Sequence, residues 1–396
     1  MNKLLKSKKY GSAMVLAVLA IVMLAAMGLG LLSLGVNSRL SAVRGNFEIQ
    51  AKAAADAGLV KAVYEMNEKL KVKPWSDSSL PSETDSAIQD SSETYSFAVT
   101  GNSSAGYSVE STGKSGGVSK TIFASLPLVG PFEYPVFGNS ALSLYNASTV
   151  DQYNADATTP PFAIGTNSTD VRKLALAQDS VIAGDAVAGY GGNVSTVIDN
   201  KGTIAGNQYA MTEPQVLPSV TVPPDLAALP SSGKLTGGDV TTSAKYTKID
   251  LGNSAIVTIK GPVSLYVIGD IILGNSAQII IDNNTPNSSL TIYLGGNLIS
   301  HEGSSINNET MDPHKLKLFG LDTCTKIGFK NSSEFYGAVY APQAMVSLDN
   351  SAEFHGSVIS DSFYTGAKAA IHFDASLRNV TVNDDAVTFT IKKWHE

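Results

Sequence analysis

The sequence predicts a mainly β protein: a right-handed parallel β-helix body, a long N-terminal α-helix and a small antiparallel β-meander. Three observations predict it. An uncharged run from Tyr10 to Ser38 follows Lys3, Lys6, Lys8 and Lys9. Short β-branched segments punctuated by Gly-Asn turns recur at offsets of 19, 22 and 26 residues. Charged side chains make up only 16% of the 396 residues, against about 25% in an ordinary soluble domain.

The charge is unevenly spread. Residues 1–74 hold 11 basic and 4 acidic side chains, a net +7, so a chain of net −7 leaves −14 to the other 322 residues. A sparse, net acidic charge excludes a general nucleic-acid binder. The single cysteine, Cys324, excludes an internal disulfide framework and a Cys-rich zinc site. With no histidine near it in sequence, it reads as a buried, inert thiol.

The elements follow in order. Residues 1–11 form a basic leader. Residues 12–73 read as a transmembrane and stalk helix. The uncharged run exceeds the roughly 20 residues a bilayer span requires, which favours retention over a cleaved secretory signal. The four leading lysines, against Arg39 and Arg44 beyond the run, place the N-terminus in the cytoplasm. Leu40, Val43, Phe47, Ala51, Ala54, Gly58 and Ala62 continue an apolar stripe at helical spacing, and Pro74 is a natural stop. Residues 74–130 comprise a Ser/Pro/acid-rich linker and three alternating strands. The Gly113-Lys114-Ser115-Gly116-Gly117 segment between the last two reads as a hairpin turn. It lacks the spacing and the strand-to-helix context of a phosphate loop.

The head resembles a known family at this point. Lys8-Lys9-Tyr10-Gly11-Ser12-Ala13-Met14-Val15-Leu16-Ala17 looks like the start of type IV pilin-like proteins. The segment Asn46–Leu59, with Ala54, Ala55, Asp56, Ala57, Gly58 and Leu59, is similar to the "AAEAGL" motif of the PilX-type minor pilin N-terminal family. The resemblance implies cleavage by a prepilin peptidase after Gly11, leaving Ser12 first. The usual glutamate at the fifth mature position is Leu16 here. It further implies a structural minor pilin-like or pseudopilin-like subunit of a type IV pilus or type II secretion-like assembly. Such a subunit sits in the bacterial cytoplasmic membrane and displays its body outside. Its partners would be that membrane, other pilin-like subunits and the peptidase.

Residues 131–378 read as the parallel β-helix. Lys330–Tyr340 and Asp349–Ile359 align without gaps at an offset of 19, and Ala369–Asp374 is a fainter third copy. Gly-Asn-Ser-Ala recurs at 138–141, 252–255 and 274–277. Stacked rungs about 4.8 Å apart would place equivalent residues in ladders. At an offset of 19, Phe335, Phe354 and Phe373 form an aromatic ladder. Asn331 and Asn350 form an asparagine ladder at a bend, where asparagine tolerates left-handed backbone. Glu334 and Glu353 would stack as like charges and therefore face water. A proline-rich excursion, with Pro214, Pro218, Pro223, Pro224 and Pro230, occupies 210–250. Loops are expected at 283–287 and 306–314. Residues 379–396 read as capping strands. The body also resembles an uncharacterised β-helical domain found behind PilX-type N-termini, in Leu265–Asp270, Phe335–Pro342 and the Asn-Ser-Ala turns. That family implies no activity.

Little in the sequence carries chemistry. Among His301, His314, His355, His372 and His395 there is no HxxxH or HExxH pair. At an offset of 19, His355 aligns with Asp374 and His372 with Glu353. Two acid–imidazole neighbours on one face could bind a metal or transfer a proton, but they read as solvent-facing rung residues, and neither a metal nor a cofactor is expected. Asp349, Asp361, Lys368 and Asp374 are the candidates for a surface-anchored polysaccharide-active enzyme, the alternative to a structural role. A third reading is an adhesin whose rungs bind a surface glycan or a partner. No catalytic residue is assigned.

Overall fold

The computed structural model describes residues 12–155, 159–330, 334–384 and 386–395. The chain forms two compact units: Met1–Leu128 with Thr388–Glu396, and Val129–Val387.

The first unit is built on one helix, α1 (Ser12–Leu70). Its second half packs against an antiparallel sheet of β1 (Ser82–Ala87), β2 (Thr94–Asn102), β3 (Gly106–Ser115) and β4 (Val118–Leu126). β1 falls within the stretch expected to be a linker. It forms because Glu83 and Ser86 pair with Phe97 and Tyr95 of β2 across a register shift. The expected turn at 113–117 shrinks to Gly116 and Gly117, both at positive φ. Lys114 and Ser115 continue β3.

The last residues were expected to cap the solenoid. Instead, Lys393–His395 pairs antiparallel with β4. Asn67 of α1 donates through Nδ2 to the Phe389 carbonyl (3.1 Å) and accepts the Phe389 N–H through Oδ1 (2.7 Å). The Phe389 ring lies edge-on to Tyr107 and tilted against Trp75. An aromatic ring that can be buried here outweighs the weak local preference of a short tail for any one strand.

Asp77 ties this aromatic corner together. Its Oδ1 accepts from Trp75 Nε1 (2.7 Å) and from the Tyr107 hydroxyl (2.5 Å), and its Oδ2 from the Ser103 N–H and hydroxyl. The Tyr107 and Trp75 bonds hold the carboxyl at about 2, while burial pushes the Tyr107 hydroxyl up to about 12. A carboxyl depressed in the folded state stabilises above its unfolded pKa, and that stabilisation is lost as pH falls through the folded value. Acid should therefore loosen this unit between about pH 4 and pH 2. Asp77→Asn should flatten the response in that window, as read by tryptophan fluorescence.

The second unit is a mainly parallel β-solenoid with three faces. Its strands are short because every few residues the chain turns to the next face. On the first face one inward column runs Leu235, Ile249, Ile271, Leu298, Ile327, Val346, Phe363, Leu142, Leu174, Ile198, each in register with the next. All ten are buried. The second face carries Leu265, Ile292, Leu318, Val339, Val358 and Val136. The third carries Phe335, Phe354, Ile371, Val150, Ile182 and Ile204.

These columns show that stacking order is not chain order. The solenoid starts in the middle, with Val136–Leu144, and builds outward to Gln208–Ala210. The chain then crosses to the far end, restarts at Lys234 and winds back. Its last rung, Glu353–Thr365 and Ala370–Asp374, closes against the first, Val136–Leu144 and Thr149–Tyr153.

The proline-rich segment makes that crossing. Its partners move steadily along the stack. The Met211 N–H reaches Ala188, and Gln215 exchanges two bonds with the Asn167 amide. The Pro218 carbonyl accepts from Tyr340 (2.8 Å), and the Ala227 carbonyl from Lys245 (2.9 Å). About 40 Å of stack at about 4.8 Å per rung lies well within reach of roughly twenty extended residues. Proline suits such a strap because it has no N–H, and so leaves no donor to pair. Leu226 is buried and Leu217, Val220, Val222 and Leu229 press on the core. The excursion is shorter than the expected 210–250, since strands resume at Lys234. Likewise, Ser305–Asn308 is a strand, so the expected 306–314 loop begins only after it.

Candidate functional site

Two regions bear on function, the helix of the first unit and an outward row on the third face of the solenoid. Residues 13–43 of α1 are exposed throughout, although they hold Met14, Val15, Leu16, Leu19, Ile21, Leu24, Leu31 and Leu34 among other apolar side chains. Within the described residues this is the one helix long and apolar enough to cross a membrane. From Ala51 onward the same helix is buried on one side, through Ala51, Ala54, Ala55, Leu59, Ala62, Met66 and Leu70.

The pilin-like motif lies at this change of surroundings. Ala54, Ala55 and Leu59 are buried, Ala57 is partly covered, and Asp56 is exposed. The small residues are there because β3 comes close. A Cβ at Gly113 would stand 2.0 Å from the Ala51 carbonyl oxygen and 2.4 Å from the Ala55 nitrogen. A Cβ at Gly58 would meet Ser111 Oγ at 2.4 Å, and that hydroxyl donates to the Ala55 carbonyl (2.7 Å). The motif is therefore a seat for the sheet as well as a mark of resemblance. Gly113, expected in the hairpin turn, lies within β3 and with Ser111 receives the motif, a role the sequence does not show because a glycine says nothing of what approaches it. Ser12 is the first described residue of α1; Gly11, the other half of the expected processing site, lies outside the described residues.

The ladders are partly redrawn. Phe335 and Phe354 are in register and stacked, with ring centroids 4.8 Å apart, and Phe329 packs edge-on to both. Phe373 does not continue them. Ile371 stands opposite Phe354, and Phe373 is buried opposite Gln152. The offset changes from 19 to 17 between Ala341–Ser360 and Met345–Ser362, where the earlier rung bulges by two residues. Asn350 sits at a bend, but the left-handed residue is the following Ser351. Asn350 acts through its side chain, whose Oδ1 accepts the Ala367 N–H of the next rung (2.7 Å). Asn253 does the same for Asn275. Asn331, its expected ladder partner, lies outside the described residues. Glu334 and Glu353 do pair across strands, both in solvent.

With the 17-residue step, the expected His355–Asp374 and His372–Glu353 alignments give way to His355 opposite His372, and His372 opposite Asp151. Tyr336, His355 and His372 form one outward stack, with centroids 4.1 and 4.7 Å apart. His372 Nδ1 lies 2.7 Å from Asp151 Oδ1, and His355 Nε2 lies 3.9 Å from Glu353 Oε2. Burial, and then the neighbouring His372, push the His355 imidazole below its ordinary range. The three aspartates among the enzyme candidates are separately engaged. Asp361 accepts from Ser140, Asp374 from Ser376 and Asn154, and Asp349 pairs with Lys330. Cys324 is fully buried and its thiol is pushed up to about 11 by that burial.

These features define a class: a mainly β solenoid protein with a long, half-exposed N-terminal helix. A family model described as a domain of unknown function, DUF7305, matches residues 222–380, the part of the solenoid that winds back from Lys234 to the closing rung. No curated protein matches the chain. Among solved structures it is similar to the competence-associated pilin ComZ from Thermus thermophilus. That likeness has 12% identity and a TM-score of 0.29, and covers 88% of this chain and 96% of that one. A glycosylated ice-binding protein from an Arctic yeast shares 11% identity at a TM-score of 0.26, covering 61% and 90%. An ice-binding protein domain of Shewanella frigidimarina shares 13% at 0.24, covering 61% and 94%. At these scores the likenesses carry no functional argument.

Proposed function

We propose that this chain is a structural, non-catalytic, pilin-like subunit, held in the bacterial cytoplasmic membrane by α1 and displaying its solenoid outside. The observation that carries the reading is the division of α1. Residues 13–36 are uncharged, mainly apolar and exposed, while residues 51–70 are buried on one side against their own sheet. Water would not tolerate so large an apolar face on a monomer; lipid, or the equivalent helices of neighbouring subunits, would cover it. In a filament the same helices pack side by side, which fits other pilin-like chains as partners. The motif resemblance at 54–59 supports this class over an unrelated anchor.

Full-length protein should fractionate with membranes and require detergent for release. Deleting residues 12–38 should move it to the soluble fraction with its far-UV circular dichroism otherwise β-rich. Recovery of the full-length chain in soluble form without detergent would overturn the reading. Mass spectrometry of the mature N-terminus reports on the peptidase as a partner: a chain beginning at Ser12 is expected, and an intact Met1 in a host with that enzyme removes cleavage after Gly11 from the proposal.

A further inference from the structure

We propose that Glu353, His355 and His372 bind a divalent transition-metal ion, with Asp151 as the positioning residue for His372. The inference is independent of membrane anchoring. Each of the three offers a ligand atom, and these atoms lie within 4.8 Å of one another. The backbones are already set, because His355 and His372 occupy facing positions of adjacent parallel strands. Zinc bound at about 2.0–2.2 Å brings tetrahedral ligand atoms to about 3.3 Å apart. Glu353 has half its side chain in solvent, so the 3.9 Å gap to His355 can close by side-chain motion alone.

Two further observations point to a ligand. His355 Nε2 is buried and has no hydrogen-bond partner among the described residues. Buried polar atoms are seldom left so, and a bound ion is one way such an atom is satisfied. The other is the His372–Asp151 bond. An ionised carboxylate can only accept, so Nδ1 carries the proton, and Nε2 of the neutral imidazole is then the nitrogen with the lone pair. This carboxylate–histidine pairing is the arrangement that orients metal-bound imidazoles. Two imidazoles and one carboxylate favour zinc, copper or nickel over magnesium or calcium. Three protein ligands leave a fourth position for water or a neighbouring group.

The location gives the ion a role. His372 belongs to the last strand of the solenoid and Asp151 to the first face-three strand, and the two meet only where the closing rung lies on the opening one. An ion held there would fasten that closure, since a ligand that binds only the folded state stabilises it.

The test uses untagged full-length protein in detergent, stripped with a chelator and titrated with zinc(II) by calorimetry, and separately with cobalt(II) by visible absorption. One saturable equivalent is expected, with four-coordinate cobalt bands and a raised solenoid melting temperature. His355→Ala and His372→Ala should abolish binding and the bands. Asp151→Asn should weaken affinity by about 10–100-fold, the usual cost of losing such a partner, with an unchanged far-UV spectrum. It keeps the test decisive if a histidine variant misfolds. Absence of saturable zinc binding would overturn the proposal, as would equal binding by wild type and Asp151→Asn together with the His355→Ala/His372→Ala double variant.

Discussion

Gly356→Ala should unfold the solenoid at a markedly lower temperature than wild type, with the first unit unaffected. Gly356 has φ +140°, and a Cβ there would stand 1.8 Å from the Gly337 carbonyl oxygen of the rung beside it. The obstacle is backbone, so no side chain can turn aside. Gly337 and Gly356 face each other in register, at the bend from the third face to the second. Gly337 itself has Phe335 and the Leu316 carbonyl at 2.7–2.8 Å from its would-be Cβ. Adding strained backbone, at about 1–2 kcal/mol, to overpacking, at about 1–3 kcal/mol, gives a loss of about 2–5 kcal/mol. That is a large share of a typical domain's stability. Differential scanning calorimetry should show one of two transitions shifted down; an unchanged solenoid transition would mean that this bend is not as close as described.

Gly113→Val should release α1 from its sheet. Gly113 has no positive φ, and valine is a better strand former than glycine, so the sheet by itself should gain. Any loss then comes from the helix, whose Ala51 oxygen and Ala55 nitrogen lie 2.0 and 2.4 Å from the new Cβ. Relief requires the helix and β3 to separate. Separation uncovers Ala54, Leu59, Ala62 and Met66 and breaks the Ser111–Ala55 bond. The expected cost is at least about 3 kcal/mol, seen as rapid proteolysis within residues 45–73 and loss of the first unit's melting transition. A variant as protease-resistant as wild type would refute the account of the motif as a seat for the sheet.

Both glycines show what was legible. Gly337 and Gly356 occur at matching places in two copies of a repeat, so a stacked bend could be read directly from spacing. Gly113 could not, because its neighbour comes from a helix some sixty residues away. The same contrast holds for the solenoid. Short β-branched strands between Gly-Asn turns could be read as rungs, since alternation and turn chemistry are local. The order of the rungs could not. Each presents nearly the same apolar face, so local pattern does not distinguish a rung stacked on its successor from one stacked on a distant rung. The proline-rich strap was visible as an interruption, but not as the crossing that permits the closed order.

The third-face row makes the point in single residues. Aligning Phe354 with Phe373 hid a better match at an offset of 17, Ala352-Glu353-Phe354-His355 over Ala369-Ala370-Ile371-His372. That match pairs the histidines and was available in the sequence. The partnership of His372 with Asp151 was not, because 221 residues separate them and only the closing of the last rung on the first brings them together.

By itself, then, the sequence determined the exposed apolar helix, the small-residue motif on it, the antiparallel meander and a body of parallel rungs. These follow from periodicity, composition and turn residues, which act over a few residues at a time. The tertiary structure alone decided the rung order, the return of the C-terminal tail to the first unit and the meeting of Asp151 with the histidines. Those depend on which apolar faces cover one another best across the whole chain, a choice that no local stretch of residues contains.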